Sequence, residues 1–345
     1  MASSSSGPAE VSAASSSEAD ATAEPVLAIE DLHTYFFTRS GTVRAVNGLS
    51  LAIGPEEFVG LVGETGSGKS ITAASILRLI RPPGRIVRGS IQFEGQELTR
   101  LRERELQRIR GKKISLIVQN ARASLNPLLP VGKQIRNVYR VHMPGSRQTV
   151  EHHILRVLQA VGFKDPERVM QSYPGQLSGG MAQRIVIAIA IGTSPKLVIA
   201  DEPTTGLDVT VQAQVLDVAT RMIEEARAAA LLITHDLRIV ANYCQKVAVM
   251  YGGRVVEFAT VEEFFSGPLH PYSRRLLRAL RSSTTLDASL TDAAPEVRAD
   301  LHGCQYRARC DMATALCASE APLLRELRPG HWVECHHAEH NLSAT

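Results

Sequence analysis

Four short motifs follow one another along the chain, and their residue types point to nucleotide chemistry. They are the glycine-rich stretch 63–70 (GETGSGKS), then 177–181 (LSGGM), then 197–202 (LVIADE), and finally His235. The first motif comes directly after an apolar, strand-like run at 58–62 and opens into a helical stretch. A glycine-rich turn between a strand and a helix directs backbone N–H groups at a single anion. The sequence therefore predicts a phosphate-binding loop.

The phosphate loop holds the residue types that this chemistry needs. Gly63, Gly66 and Gly68 lack a Cβ atom, so the backbone can turn tightly and approach phosphate oxygens. Lys69 is predicted to reach the β- and γ-phosphates of a nucleotide, and the Ser70 hydroxyl is a hard oxygen ligand suited to Mg²⁺. The loop thus predicts binding of a magnesium nucleotide.

Acidic and imidazole side chains at the ends of two further apolar runs predict hydrolysis of that nucleotide. Asp201 ends the run 197–201, where it would hold Mg²⁺ mostly through water, and Glu202 is placed to act as general base toward an attacking water. His235 follows the apolar run 231–234 and would hold the γ-phosphate and the water in line. The alternative for His235 is a histidine that only completes hydrogen bonds at a strand end.

With these motifs the chain resembles the nucleotide-binding subunits of ATP-binding cassette (ABC) transporters. The stretch 177–181 looks like the family signature, with Met181 where Gln is commoner, and Gln119 matches the Q-loop residue and Asp208 the D-loop residue. The resemblance implies an ATP site that also uses Gln119 as an Mg²⁺ ligand. The implied ATP site includes the following further residues: Glu64, Thr65, Ser67, Ile71, Ser178, Gly179, Gly180 and Asp208.

The signature has its own physical logic. Ser178 can cap the helix that begins near Gly180, and the two glycines leave the N–H groups of the first turn open to an anion. In the family that anion is the γ-phosphate on the phosphate loop of the other subunit. The resemblance therefore implies that function requires a dimer.

Several further stretches resemble the dipeptide and oligopeptide importer branch of the family. They are 118–120 (VQN), 124–128 (SLNPL), 172–176 (SYPGQ) and 270–272 (HPY). The resemblance implies an ATPase that powers peptide uptake with a second, paralogous ATPase subunit, two permease subunits and an extracytoplasmic solute-binding protein. Relatives in this branch that carry nickel complexes or glutathione leave the cargo open, and a homodimer of cassettes is the alternative to the heterodimer.

A non-transport ABC ATPase of DNA repair or translation is the competing function. Repair members insert long coiled coils between phosphate loop and signature, but only about 110 residues separate these motifs here. Translation factors of this type usually carry two cassettes, and this chain shows one. A regulatory protein with a lost ATPase is a third alternative, and the presence of Lys69, Asp201 and Glu202 argues against it.

Composition agrees with a cytoplasmic α/β enzyme. The chain has 345 residues, 44% of them apolar, and a net charge of only +3. No basic stripe with interleaved aromatics is present, which argues against nucleic acid as a partner. The longest apolar stretch, 185–191, is far shorter than a membrane span. We therefore expect attachment to the cytoplasmic face of the inner membrane through the permease subunits.

The expected fold is α/β, with a P-loop NTPase core of ABC type, an antiparallel β subdomain, a helical signature subdomain and a small Cys-rich C-terminal extension. Residues 1–24 are rich in Ala and Ser and cannot bury enough surface to offset their ordering entropy, so they are expected to be disordered. They also lack the apolar core of a signal peptide. Residues 25–265 form the predicted nucleotide-binding domain and 266–345 the extension. Within the domain, apolar spacing predicts mainly helix over 120–185 and a helix over 211–230.

An aromatic side chain near the start of the folded part is expected to stack on adenine. The resemblance places it within 35–37 (YFF), and the spacing from Leu32 favours Phe36. Tyr35 is the alternative, and both could instead be ordinary sheet aromatics.

Four of the five cysteines lie in the C-terminal part, at Cys304, Cys310, Cys317 and Cys335. In a cytosolic protein such clustering suggests a metal rather than disulfides. Structural zinc usually has ligand pairs two to four residues apart, and the wider gaps here favour a [4Fe–4S] cluster. The importer branch often has a similar cysteine pattern, and some members carry such a cluster. Zinc and no metal are the alternatives, and Cys244 is expected to be a small buried hydrophobe.

Overall fold

The computed structural model describes residues 24–281 and 302–342. The segment predicted to be disordered, apart from residue 24, lies outside these residues. The β-strands are β1 Leu27–Thr38, β2 Gly41–Ile53, β3 Phe58–Val62, β4 Gly84–Phe93, β5 Gln96–Glu97, β6 Ile114–Ile117, β7 Leu197–Asp201, β8 Ala229–Thr234, β9 Lys246–Tyr251, β10 Arg254–Thr260, β11 Arg325–Arg328 and β12 His331–Val333. The α-helices are α1 Lys69–Ile76, α2 Glu103–Ile109, α3 Ala121–Ser124, α4 Val131–His142, α5 Arg147–Ala160, α6 Pro166–Gln171, α7 Gly179–Ile191, α8 Val209–Glu225, α9 Leu237–Tyr243, α10 Val261–Ser266, α11 Pro271–Arg281, α12 Ala315–Ser319 and α13 Ala338–Leu342.

The larger sheet carries the predicted active residues. Its strand order is β11-β12-β10-β9-β3-β8-β7-β6, and the strands from β9 to β6 run parallel to one another. Strands β3, β7 and β8 are almost wholly buried, which explains why they appear in the sequence as continuous apolar runs. Because β3, β8, β7 and β6 are adjacent and parallel, their carboxyl ends meet at one edge of the sheet. The loops that follow these four strands contain the phosphate loop, His235, Glu202 and Gln119.

The smaller sheet is antiparallel, with the order β2-β1-β4-β5. Apolar side chains from both sheets pack around helix α1 in one core that includes Leu32, Ile53, Leu61, Ile76 and Ile91. This packing fixes α1, and therefore the loop before it, between two sheets. The predicted antiparallel β subdomain is present.

Helices α3 to α7 form the predicted helical region and bury their apolar stripes in a second core. Tyr139 on α4 is fully buried, and its hydroxyl donates to the carbonyl oxygen of Ala188 on α7 at 2.6 Å. A buried hydroxyl needs such a partner to offset its desolvation. The predicted α/β architecture with a helical subdomain is therefore confirmed.

The predicted helix over 211–230 differs from what is observed. Helix α8 begins two residues earlier and ends at Glu225, and Arg227 adopts a left-handed φ of 50° that breaks the helix. The alanines that follow, including Ala229 and Ala230, belong to the buried strand β8. Their high helix propensity is overridden by pairing between two parallel strands.

The C-terminal part adds strands to the larger sheet. Strand β12 pairs antiparallel with β10, and β11 pairs with β12. The fully buried carboxylate of Glu257 on β10 accepts hydrogen bonds from the backbone N–H groups of Leu269 and His270, and it lies 2.8 Å from Nε2 of His331 on β12. One carboxylate thus connects β10, the segment before α11 and β12.

Candidate functional site

The phosphate loop joins β3 to α1, and its glycines are needed for steric reasons. A Cβ atom at Gly63 would collide with the carbonyl oxygen of Met250, and one at Gly68 with that of Ala45. Gly68 also caps α1 with a φ of 108°, which L side chains rarely adopt. The hydroxyl of Ser67 is buried and has no hydrogen-bond partner within the described chain. Such an orphaned group at a helix N-terminus fits a phosphate ligand.

Lys69 lies across this loop. Its Nζ atom donates to the carbonyl oxygens of Gly63 at 2.7 Å and of Glu64 at 2.9 Å. Burial lowers the pKa of Lys69, while the carboxylates of Glu202, Asp201 and Glu64 oppose that change. The ammonium group is therefore held at the loop by carbonyl oxygens that a phosphate group can replace.

Asp201 and Ser70 meet at the end of β7. The Ser70 hydroxyl donates to Asp201 Oδ1 at 3.1 Å. Burial raises the pKa of Asp201, and the hydrogen bond from Ser70 opposes the rise. A hydroxyl and a carboxylate beside a phosphate loop are the hard oxygen donors that Mg²⁺ prefers, so this pair fits the ion.

Glu202 has three side-chain neighbours from three loops. Its Oε2 accepts hydrogen bonds from Thr205 at 2.8 Å and from Gln119 Nε2 at 3.1 Å, and its Oε1 lies 3.2 Å from His235 Nδ1. Burial favours a raised pKa, but the hydrogen bonds of Thr205 and His235 outweigh it and hold the pKa of Glu202 below its usual range. Glu202 is therefore ionised near neutral pH, as a general base must be.

The backbone at Glu202 is unusual. Its φ is 46°, a left-handed conformation that costs a non-glycine residue of order 1 kcal/mol or more. The neighbouring strand helps to hold it there, since the Glu202 N–H donates to the carbonyl oxygen of Ile233 at 2.9 Å. Because of this turn, the Glu202 side chain lies against the loops that contain Gln119 and His235.

The signature motif lies at the start of α7, as predicted. Ser178 is the N-cap, and its hydroxyl accepts from the Met181 N–H at 3.2 Å. A Cβ atom at Gly180 would collide with Val211 on α8, so this glycine permits the two helices to approach. Asp208 caps α8 in the same way, through the Val211 N–H at 3.0 Å. Ser178 and Asp208 are both exposed.

A cleft of about 380 Å³ connects the Q-loop with the signature and the D-loop. Gln119, Gly179 and Leu207 are among the residues that line it. The structure thus brings Gln119 to Glu202 on one side and to the signature region on the other. Of the remaining predicted phosphate-loop residues, Thr65 and Gly66 are exposed, and Ile71 is half-buried against the core.

The two candidate adenine-stacking aromatics differ in their surroundings. The Tyr35 hydroxyl donates to Asn47 Oδ1 at 2.7 Å and lies 2.9 Å from His33 Nδ1, so this side chain is already engaged. Phe36 is half-buried and packs over Gly84, where a Cβ atom would collide with its ring. Phe36 has no polar tip to satisfy, and it stays the predicted stacking residue.

Sequence analysis did not predict three residues that contact Glu202 or Glu64. Thr205 donates to Glu202, the Tyr272 hydroxyl accepts from the Glu64 N–H at 2.9 Å, and Arg309 forms an ion pair with Glu64. Tyr272 belongs to the motif 270–272, which served above only as a mark of the importer branch. Arg309 carries no sequence signal that would connect it to a loop 245 positions away.

The prediction of a four-cysteine [4Fe–4S] site is wrong, and the zinc alternative is not supported either. In the segments 24–281 and 302–342, no group of three or more His, Cys, Asp or Glu side chains is arranged to hold a metal ion. All five cysteines are free thiols. Burial raises the pKa of the Cys304 and Cys310 thiols, and that of Cys335 to about 11. Cys317 instead lies 3.6 Å from His337 Nε2.

Cys244 is half-buried rather than fully buried as expected. It packs against two apolar cores, and burial raises the pKa of its thiol to about 12.

Across the described segments no helix is both long and apolar enough to cross a membrane.

Two family models match the chain. One, described as ABC transporter, matches residues 46–205, and the other, described as oligopeptide/dipeptide transporter C-terminal region, matches residues 256–317. The first match spans the phosphate loop, the signature and Glu202, whereas the second spans Tyr272 and Arg309.

Curated relatives match along almost the whole chain. The dipeptide transport ATP-binding protein DppD of Escherichia coli is 41% identical over 315 residues, which cover 90% of this chain and 96% of that protein. The oligopeptide transport ATP-binding protein OppD of Escherichia coli is 42% identical over 316 residues, covering 91% and 93%. Among solved structures, a dimeric ATP-binding cassette in a post-hydrolysis state with ADP and Pi has a TM-score of 0.61 at 24% identity, and the match covers 68% of this chain and 98% of that one. This last likeness supports the fold.

Proposed function

Because the chain belongs to the ATP-binding proteins of ABC transporters, we propose that it hydrolyses ATP to power import of dipeptides or oligopeptides. The observation that carries the proposal is the position of Glu202. Its ionised carboxylate lies beside Asp201, at the sheet edge that also bears the phosphate loop, and it contacts both Gln119 and His235. An ATPase needs a base, a phosphate cradle and a γ-phosphate contact at one place.

Each side chain has a defined role in the proposed reaction. The N–H groups from Gly63 to Ser70 and the Lys69 ammonium bind the β- and γ-phosphates. Glu202 accepts a proton from the water that attacks the γ-phosphorus, while the bond to the β–γ bridging oxygen breaks and ADP leaves. His235 is exposed and close to Glu202, so it can orient the water and the γ-phosphate in line. Phe36 stacks on the adenine ring.

Ser70, Asp201 and Gln119 are the residues that would hold Mg²⁺. When bound, this ion neutralises charge on the β- and γ-phosphates. The Gln119 amide presently donates from Nε2 to Glu202, and its Oε1 is the atom of the right type to face a cation. The roles of Ser70 and Asp201 are supported by their 3.1 Å contact.

The proposed working unit contains two cassettes. Ser178 and Asp208 are exposed, and Ser178 caps α7, whose first turn contains two glycines. A γ-phosphate on a second cassette is the ligand that such a helix N-terminus fits. We take the second cassette to be a paralogue, with two permease subunits and an extracytoplasmic solute-binding protein completing an importer at the cytoplasmic face of the membrane.

The division of the chain into a cassette at 25–265 and an extension at 266–345 is part of this proposal. It is supported by the separate match of residues 256–317 to the oligopeptide/dipeptide transporter C-terminal region. The cysteine-rich composition of the extension is a fact of the sequence and carries no metal role here.

Reconstitution tests the function. The chain is co-expressed with candidate permease and partner-cassette proteins, placed in proteoliposomes with a candidate solute-binding protein, and assayed for ATP hydrolysis and uptake of labelled di- to pentapeptides. We expect hydrolysis and uptake to rise together with peptide, and both to be lost in E202Q. Peptide-independent hydrolysis without uptake, or uptake of a nickel complex or glutathione in place of peptides, would contradict the proposed cargo.

A further inference from the structure

An ion pair connects the C-terminal part of the chain to the phosphate loop. Arg309 donates from Nη1 to Glu64 Oε2 at 2.8 Å and from Nη2 to Glu64 Oε1 at 3.1 Å. Both side chains are largely buried, with exposed fractions of 15% for Arg309 and 13% for Glu64. Bidentate arginine–carboxylate pairs of this kind are directional as well as strong. The hydrogen bonds to Glu64 raise the pKa of Arg309, so the guanidinium is always charged.

Glu64 is the second residue of the phosphate loop, and it is held at three points. Its carboxylate binds Arg309, its N–H donates to the Tyr272 hydroxyl, and its carbonyl oxygen accepts from the Lys69 ammonium. Its backbone is therefore connected to the lysine that we expect to bind phosphate. A displacement of the Glu64 carboxylate can therefore shift the Lys69 ammonium through the Glu64 backbone.

Arg309 is in turn fixed by a buried aromatic cluster. The backbone N–H of Arg309 donates to the carbonyl oxygen of Tyr306 at 3.0 Å, and the guanidinium carbon lies 6.0 Å from the ring centroid of Tyr251. The Tyr306 ring packs against those of Tyr251 and Tyr272 at 5.1 and 5.4 Å. The position of the guanidinium thus depends on how the C-terminal part packs against the cassette.

The charge of Glu64 needs an explanation if its loop binds a triphosphate. A carboxylate on that loop would repel the phosphates and so weaken nucleotide binding. Arg309 cancels this charge and fixes the carboxylate at the same time. A lysine could cancel the charge, but it lacks the planar fork that makes two parallel hydrogen bonds.

We propose that Arg309 is a positioning residue for ATP, which neutralises Glu64 and thereby makes nucleotide affinity depend on the seating of the C-terminal part. This inference rests on the proposed ATPase function, but not on the identity of the cargo. It gives the C-terminal part a role at the nucleotide site, although that part contributes none of the four motifs.

The test measures ATP binding to the purified full-length chain in the E202Q background, so that hydrolysis does not consume the nucleotide. R309Q is expected to raise the Kd for ATP on the order of tenfold, since it leaves one carboxylate uncompensated beside the phosphates. E64Q is expected to bind ATP at least as tightly as the parent. The double variant E64Q/R309Q should return to within about threefold of the parent, and R309K should lie between R309Q and the parent.

Opposite effects of E64Q and R309Q distinguish electrostatic positioning from a purely structural ion pair. A structural pair predicts that both single variants weaken binding alike and that the double variant does not recover, and either result would overturn the proposal. Should R309Q not fold, E64Q alone decides, because weaker binding in E64Q contradicts the charge argument. In the assembled transporter, R309Q should raise the KM for ATP while kcat stays within about twofold.

R325Q is the matched control. Arg325 also lies in the C-terminal part, and it forms an ion pair with Glu339 through a 2.8 Å hydrogen bond between Nη2 and Oε2. This substitution removes the same charge and breaks another arginine–carboxylate pair, a more exposed one, without touching the phosphate loop. R325Q is expected to leave the Kd for ATP unchanged, and a rise equal to that of R309Q would overturn the proposal. These assays measure ATP binding and use no transported solute. Their result therefore stays interpretable even if the protein does not transport peptides.

Discussion

Gln119 donates a 3.1 Å hydrogen bond to Glu202 although 83 positions separate the two residues in the chain. Gln119 follows β6 and Glu202 follows β7, and the two strands are parallel neighbours. The family resemblance implies that coupling to the permease runs through the Gln119 loop, and this loop is hydrogen-bonded directly to the proposed general base. Movement of that loop changes the hydrogen bonding of the base, which is a physical route by which a permease can control hydrolysis.

The first prediction concerns this base. Glu202→Gln keeps the size of the side chain but removes the proton acceptor, so kcat should fall by at least about 10²-fold while ATP still binds. Lys69→Ala should instead weaken ATP binding itself, because it removes a charge from the phosphate site. Steady-state ATPase assays in the assembled transporter and equilibrium ATP binding measure the two effects. ATP hydrolysis by E202Q near the parent rate would rule out the general-base role.

The second prediction concerns assembly. The isolated chain should be a monomer with little ATPase activity, because the N–H groups of its signature helix need a γ-phosphate on another cassette. Addition of the partner cassette and permease should raise the rate, and E202Q with ATP should trap a closed dimer visible by light scattering. Ser178→Arg should prevent that dimer and leave ATP binding to the monomer intact. Concentration-independent, full activity of the purified monomer would contradict this scheme.

The third prediction concerns packing in the helical region. A Cβ atom at Gly192 would overlap the Tyr139 hydroxyl, which itself donates to Ala188. Gly192→Ala should therefore destabilise the protein by about 1–3 kcal/mol, the usual cost of overpacking a core. Tyr139→Phe should cost about 1 kcal/mol through the lost hydrogen bond. It should relieve only part of the effect of G192A, because the ring carbon Cζ, which Phe keeps, also lies 2.5 Å from the added Cβ. Denaturant unfolding of the two single variants and the double variant measures this coupling.

The fourth prediction concerns pH. His270 is buried, its Nδ1 accepts from the Tyr272 N–H, and burial lowers its pKa to about 4. The folded protein keeps this imidazole neutral, whereas the unfolded chain protonates near pH 6.5. The free energy of unfolding should therefore fall as the pH falls from about 6.5 to 4, by up to about 1.4 kcal/mol per pH unit from this group.

His270→Asn supplies the control for that slope. The Asn Oδ1 atom can accept from the Tyr272 N–H but does not titrate. This variant should be less stable at pH 7 and show a shallower decline between pH 6.5 and 4. Equal slopes in denaturant unfolding of the parent and the variant would show that His270 does not cause the acid sensitivity.

Three of the four motifs could be located from sequence because each contains or follows a buried strand. Asp201 and His235 each end an apolar run, and the rule that parallel strands share one carboxyl edge was enough to bring them together. The contacts of Glu64 could not be predicted in this way. Arg309 and Tyr272 reach it from the C-terminal part, through packing that depends on tertiary structure rather than on local spacing.

The cysteine prediction failed for a related reason. Four cysteines within a short segment indicate a possible ligand set, but only coordinates show whether their sulfur atoms are arranged around one point. Within residues 24–281 and 302–342, no three or more His, Cys, Asp or Glu side chains are arranged to hold a metal ion, and Cys317 Sγ lies 3.6 Å from His337 Nε2. The left-handed backbone conformation at Glu202 could not be predicted from the sequence either, since nothing in the motif requires a positive φ.

The pairing of β12 with β10 also protects the protein from aggregation. Without residues 325–333, β10 would become an outer strand with apolar residues such as Val255 and Val256 along an unpaired backbone. The strand that is outermost in the described part of the sheet is instead β11, where Arg325, Glu326 and Arg328 are exposed. Charged outer strands discourage pairing between molecules. A chain shortened after α11 should therefore associate through β10, and its poor solubility could be mistaken for a defect in ATP binding.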